Sequence, residues 1–106
     1  MPKYLFEVSY SSQGVEGVRS KGGSSRRDAV AEMTESLGGK LESFYFAFGD
    51  QDAYVVVDLP DNETAAAVVL AVNAAGGAAL KTIQLLTPAE VDAAAKRSVG
   101  YHPPGS

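Results

Sequence analysis

Apolar and polar residues alternate unevenly along this chain, and the places where the period changes mark its elements. Tyr4 to Tyr10, YLFEVSY, is rich in aromatic and branched residues with a partial period of two, which predicts a strand. In SSQGVEGVRSKGGSS, Val15 and Val18 sit on one side of a short helix that Ser11 or Ser12 could cap. Gly14 and Gly17 make that helix a poor one, and Gly22 with Gly23 breaks it. Ser25 and Asp28 then have the spacing of a capping box, with Asp in place of Glu. Val30, Met33 and Leu37 form a helical stripe that Gly38-Gly39 brings to an end.

The next two apolar runs, Lys40 to Phe48 and Ala53 to Leu59, read as strands. Only GDQD separates them, so a hairpin is the economical connection. Pro60 ends the second run. Asp61 caps a helix through about Ala75, with Glu63 in its first turn. That helix is nearly all Ala and Val, as close packing on a sheet requires. Gly76-Gly77 stops it, and Ala78 to Leu86 predicts the fourth strand. Thr87-Pro88-Ala89-Glu90 is a strong helix start, opening a short helix to about Arg97. The ending GYHPPG is predicted extended, because consecutive prolines favour that state.

The order is β-α-β-β-α-β-α, which predicts an α+β fold: a ferredoxin-like βαββαβ sandwich with a four-stranded antiparallel sheet, plus a short C-terminal helix and an extended tail. Residues 1–98 form the domain and 99–106 the tail. Helices on one face leave the other bare. Alternation sets Tyr4, Phe6, Val8 and Tyr10 opposite Leu5, Glu7 and Ser9, and neither sheet face is simply polar; of the polar or amphipathic strand residues Tyr45, Tyr54, Glu7, Lys81 and Gln84, some must face the bare side. Such a face suits a sheet covered by a partner, so the expectation is a homodimer or higher homo-oligomer through the sheet face.

Composition narrows the function. Net charge is −4 and the pI about 4.8, which counts against a nucleic-acid partner and against an anionic membrane. No cysteine is present, so disulfide, thiolate and cysteine–metal chemistry are absent. The N-terminus lacks an apolar segment of the signal-peptide kind, and no run reaches spanning length, so a cytoplasmic location is expected.

The candidate chemistry is sparse. Asp50 and Asp52 in the hairpin loop could form a carboxylate pair at a cavity mouth; the plainer reading is turn chemistry. His102 is the sole histidine and so the only imidazole available as a base or ligand. With Tyr101 it stands in a tail that could cross to a neighbouring protomer. Tyr45 and Tyr54 are amphipathic strand residues that could line a site on the bare face. Arg26 and Arg27 open a helix where positive charge opposes the dipole, so an anion partner is conceivable beside the plainer reading of a solvated end. No nucleotide loop, HExxH, zinc spacing or Ser-His-Asp signature occurs, and no metal or cofactor is expected.

The segment SLGGKLESFYFAFGDQDAYVVVDLPD, Ser36 to Asp61, resembles the core of the GYD domain family, small bacterial proteins named for a Gly-x-Tyr-Asp type signature in this hairpin. The wider resemblance runs from about Pro2 to Thr87. Gly49 and Asp52 match the signature, while Gln51 stands where its Tyr would fall. The family is similar to the dimeric α/β-barrel superfamily, which implies the ferredoxin-like fold and a sheet-to-sheet dimer. It implies no single reaction. The leading expectation is an oligomeric small-molecule-binding or structural protein whose ligand, if any, is small and largely apolar. The alternative is a cofactor-free enzyme of the monooxygenase or isomerase kind acting on a small aromatic or lactone substrate.

Overall fold

In the computed structural model, which describes residues 1–105, the elements follow the order β1 (Lys3–Tyr10), α1 (Ser12–Lys21), α2 (Gly23–Ser36), β2 (Lys40–Phe46), β3 (Ala53–Asp58), α3 (Asn62–Ala75), β4 (Ala78–Leu85) and α4 (Pro88–Ala95). The four strands form one antiparallel sheet in the order β2-β3-β1-β4. That is the ferredoxin-like order, with β1 and β3 central and the two βαβ crossovers laid on one face. The α+β class and the antiparallel sheet predicted from the sequence are both present.

Period two decides which residues reach the core. Tyr4, Phe6 and Val8 of β1 and Ala53, Val55 and Val57 of β3 are all buried on the helical face. Helix α3 adds Ala65 and Val68, and α2 adds Thr34. Thr34 is a polar residue inside a core, and its hydroxyl is satisfied by donating to the Val30 carbonyl one turn back at 2.7 Å. Leu59, just past β3, closes the core at the end away from the hairpin.

Two features of the first crossover differ from the sequence reading. Helix α1 runs ten residues despite Gly14 and Gly17. Ser11 caps it, accepting from the Gly14 amide, and the Ser11 amide and hydroxyl both donate to the Gly77 carbonyl. Tertiary anchoring at the N-terminus offsets weak propensity. The Ser25–Asp28 capping box does not form, because α2 already begins at Gly23, immediately after Gly22, leaving both residues inside the helix. Gly22 has φ 90°, and this single left-handed residue turns the chain between the two helices.

The hairpin also differs. β2 ends at Phe46, so Phe48 lies in a six-residue connection, Ala47 to Asp52, and is fully exposed. Within that connection the Ala47 amide donates to the Asp52 carbonyl, and the Asp52 amide donates to the Val8 carbonyl. A register shift between Leu41 and Ser43 places a bulge at Glu42. The bulge brings Glu42 toward Lys3, whose ammonium also meets Asp58, at 2.7 and 2.8 Å.

After β4 the chain leaves the sandwich. Thr87 and Glu90 form the predicted capping box around α4, but α4 has no buried residue. From Leu86 to Gly105 every residue is exposed. The molecule is correspondingly long, 58 × 32 × 23 Å, with a radius of gyration of 16.9 Å against about 13 Å for a compact chain of this size.

Candidate functional site

The sheet and helices do not close on each other completely. Between the helical face of the sheet and helices α2 and α3 lies a cavity of about 230 Å³. Its floor is β1 and β3 (Phe6, Val8, Val55), with Phe44 and Leu80 at the flanks. Its roof is Val30 and Met33 of α2 with Val68 and Val72 of α3. Small residues create this room: α3 presents Val and Ala where a Leu or Phe would have filled the space.

One end of the cavity is polar. The lining there comes from Tyr10 at the end of β1, Gly14 of α1, Gly77 at the start of β4 and Arg26 in the first turn of α2. Tyr10 and Arg26 carry the only hydroxyl and the only charge in the lining. Burial pushes the Tyr10 phenol above its ordinary range; the Arg26 charge pulls it down, and more weakly the Asp52 carboxylate pushes it up. Arg26 is itself exposed, and its ion pairing differs from that of its neighbour. Arg27 holds Asp28 at 3.0 Å, while among the described residues no carboxylate pairs with Arg26. Gly14 stands so close to Gly77 that an added Cβ would fall 2.0 Å from the Gly77 carbonyl oxygen, which keeps this rim tight on the α1 side.

Apart from Arg26, the candidate site residues singled out from the sequence lie elsewhere, on three separate surfaces. Tyr45 and Tyr54 are register partners on the bare face of the sheet, beside Glu7 and Lys81, and both are exposed. Asp50 is exposed in the hairpin connection. Asp52 is tied into the fold: its carboxylate accepts from the Tyr10 amide at 2.8 Å, prolonging the bonding between the ends of β1 and β3. Gln51, at the position of the missing signature Tyr, accepts from the Ser9 hydroxyl at 2.9 Å. Tyr101 and His102 are exposed in the tail, far along the chain from any enclosing element. None of the six lines the cavity. Among the described residues no cluster of His, Cys, Asp or Glu has the geometry of a metal site.

Sequence reasoning passed over Tyr10, Phe44 and Met33 as site residues. They appeared there only as members of strands and of a helical stripe, and a void within a core leaves no mark on the period. Arg26 gave the one available signal, a cation at the start of a helix.

A second, open groove runs along the β4 edge between Tyr4, Asn62, Leu70 and Gln84. The Tyr4 hydroxyl donates to Asn62 Oδ1 at 2.6 Å there, joining β1 to the start of α3.

A family model described as the GYD domain matches residues 4–95. No curated protein and no solved structure gives a significant match. Among the described residues no helix is long and apolar enough to cross a membrane.

Proposed function

The chain belongs to the GYD domain family, a description that names no reaction, and we propose that it binds a small, largely apolar molecule in the cavity between its sheet and helices. The observation that carries this reading is the apolar space itself, which opens to solvent at the Arg26 rim. A well-packed core of this size has few voids larger than a water molecule, and an apolar void that water does not fill forfeits packing along its whole lining. A ligand restores those contacts. The lining holds no carboxylate and no imidazole, so binding is a better fit than proton transfer on an aromatic or lactone substrate.

The test is a titration of ¹⁵N-labelled protein with toluene, followed by amide shifts. Perturbations should concentrate at Phe6, Met33 and Val68 and vanish in Val72→Phe, which fills the cavity. Shifts confined to the bare sheet face, or persisting in Val72→Phe, would refute the cavity as the binding site.

We propose in addition that the bare sheet face pairs with a second copy of this chain. The bare face carries the row Val56–Leu5–Ile83 across β3, β1 and β4, followed by the row Tyr45–Tyr54–Glu7–Lys81. A second copy of this chain is the partner that suits it. A two-fold contact is self-complementary, so Glu7 of one protomer can meet Lys81 of the other while the apolar rows cover each other. The exposed α4 and tail are long enough to lie along that second copy.

A further inference from the structure

Resting on the cavity reading above, we propose that the ligand carries a single carboxylate on a compact apolar body, and that Arg26 with Tyr10 receives that carboxylate at the cavity mouth. The polar groups are segregated. Phe6, Val55, Val68 and Met33 make the interior apolar, whereas the one cation and the one hydroxyl of the lining share the end formed by the last residue of β1 and the first turn of α2. An amphiphilic ligand with one polar end matches this division, and a wholly apolar one leaves it unused.

Charge gives the sign of that polar end. The first turn of α2 contains no acidic residue, so nothing there offsets the positive end of the helix dipole or the Arg26 guanidinium. Arg27, the adjacent cation, is occupied by Asp28. Asp52, the carboxylate whose charge is felt at the Tyr10 phenol, is held by the Tyr10 amide outside the lining, and at that phenol the influence of Arg26 exceeds that of Asp52. A guanidinium and a phenol together offer the two-point donation that a carboxylate takes; a phosphate would call for further donors that the rim does not supply.

Size gives the body. An apolar cavity of about 150 Å³ suffices for benzene. The 230 Å³ here therefore admits one ring, or a branched chain of similar bulk, with a carboxylate and a linking carbon.

The experiment compares three probes of matched shape on the full chain: phenylacetate, its neutral analogue phenylacetamide, and toluene. Binding is followed by amide shifts in the wild type, Arg26→Gln, Arg26→Lys and the control Arg27→Gln. Phenylacetate should bind the wild type about tenfold more tightly than phenylacetamide, a margin set by one charge-assisted contact at a solvated rim. Arg26→Gln should erase that margin, Arg26→Lys should retain part of it, and Arg27→Gln should leave it intact. Toluene should bind all four proteins alike. If toluene binds but phenylacetate shows no advantage, or if Arg27→Gln removes the advantage as fully as Arg26→Gln, the carboxylate assignment falls and the cavity reading survives. If none of the probes enters the cavity, both fall. Because Arg26 is exposed, its replacement leaves the fold intact, and the toluene titration verifies that in the same samples.

Discussion

At the scale of single residues, glycines separate two kinds of constraint. Gly76 caps α3 in the left-handed region at φ 82°, and an added Cβ there would meet nothing within reach. Its requirement is conformational only, so Gly76→Ala should cost about 1 kcal/mol. Gly39 is the opposite case. A Cβ at Gly39 would fall 2.2 Å from the Asp58 carbonyl oxygen and 2.9 Å from Leu59, so β2 could not start where it does. Urea denaturation of Gly39→Ala should show a loss of about 3 kcal/mol, larger than that of Gly76→Ala. Equal losses would mean that the two glycines are needed for the same reason. The sequence marked Gly38-Gly39 as a helix stop, and Gly38, with φ 81°, serves as one. That Gly39 is needed for clearance from another strand depends on a partner nineteen residues away, Asp58, which no local rule can see.

Among the charged residues, Asp61 shows what a cap does to a titration. Its carboxylate accepts from the Thr64 hydroxyl at 2.6 Å and from the Thr64 amide at 2.8 Å, and these bonds hold its pKa below the ordinary 3.8. A depressed carboxylate contributes stability that is present above the unfolded pKa and lost as pH falls through the folded one. Thermal melts should therefore place Asp61→Asn below the wild type at pH 7, with the gap narrowing at pH values under 3.8. A gap that stayed constant with pH would show that the charge contributes nothing.

At the scale of elements, α1 and α4 are instructive opposites. Helix α1 contains two glycines yet persists, because its N-terminus is fastened to Gly77. Helix α4 has good helix formers and a complete capping box yet packs on nothing within the chain. An eight-residue helix with no tertiary support is marginal, so its cap matters more than its composition. Glu90 is held below its ordinary pKa first by the Thr87 amide and then by the Thr87 side chain. By the same sign rule, the cap is intact above pH 4.5 and weakens as pH falls through and below that value. Carbon chemical shifts of residues 88–95 should lose helical character in that range while those of α3 remain unchanged. Thr87→Ala should produce the same loss at pH 7, and an α4 indifferent to both changes would have a tertiary support of its own.

At the scale of the whole molecule, the outstanding feature is how much apolar surface the chain leaves uncovered. The sheet has helices on one face only, and Ile83, Tyr45 and Tyr54 are exposed on the other. Leu86, Val91, Val99 and Tyr101 extend that exposure along the C-terminal arm. Exposed apolar surface on this scale is what the proposed second copy would cover. Sedimentation at micromolar concentration should give a dimer or larger assembly. A Val56→Glu, Ile83→Glu double variant should give a monomer with unchanged far-UV circular dichroism. A monomeric wild type, or an assembly that survives both charges, would overturn the sheet-face contact.

The sequence by itself determined the order and kind of nearly all elements, since each rests on local chemistry: period two in four strands, the Asp61 and Thr87 caps, the glycine stops. Alternation also groups Tyr4, Phe6 and Val8 on one side of their strand, but which side meets the helices is decided only when the sheet is covered. Only the tertiary structure decided the rest. The length of α1 depends on an anchor at Gly77, the end of β2 depends on Asp52 bonding back to β1, and the cavity depends on which side chains of β1, β3, α2 and α3 are brought together. These are relations between residues far apart in the chain. A pattern read along the sequence records what each residue is, whereas a void and its one charged rim exist only in the space between elements.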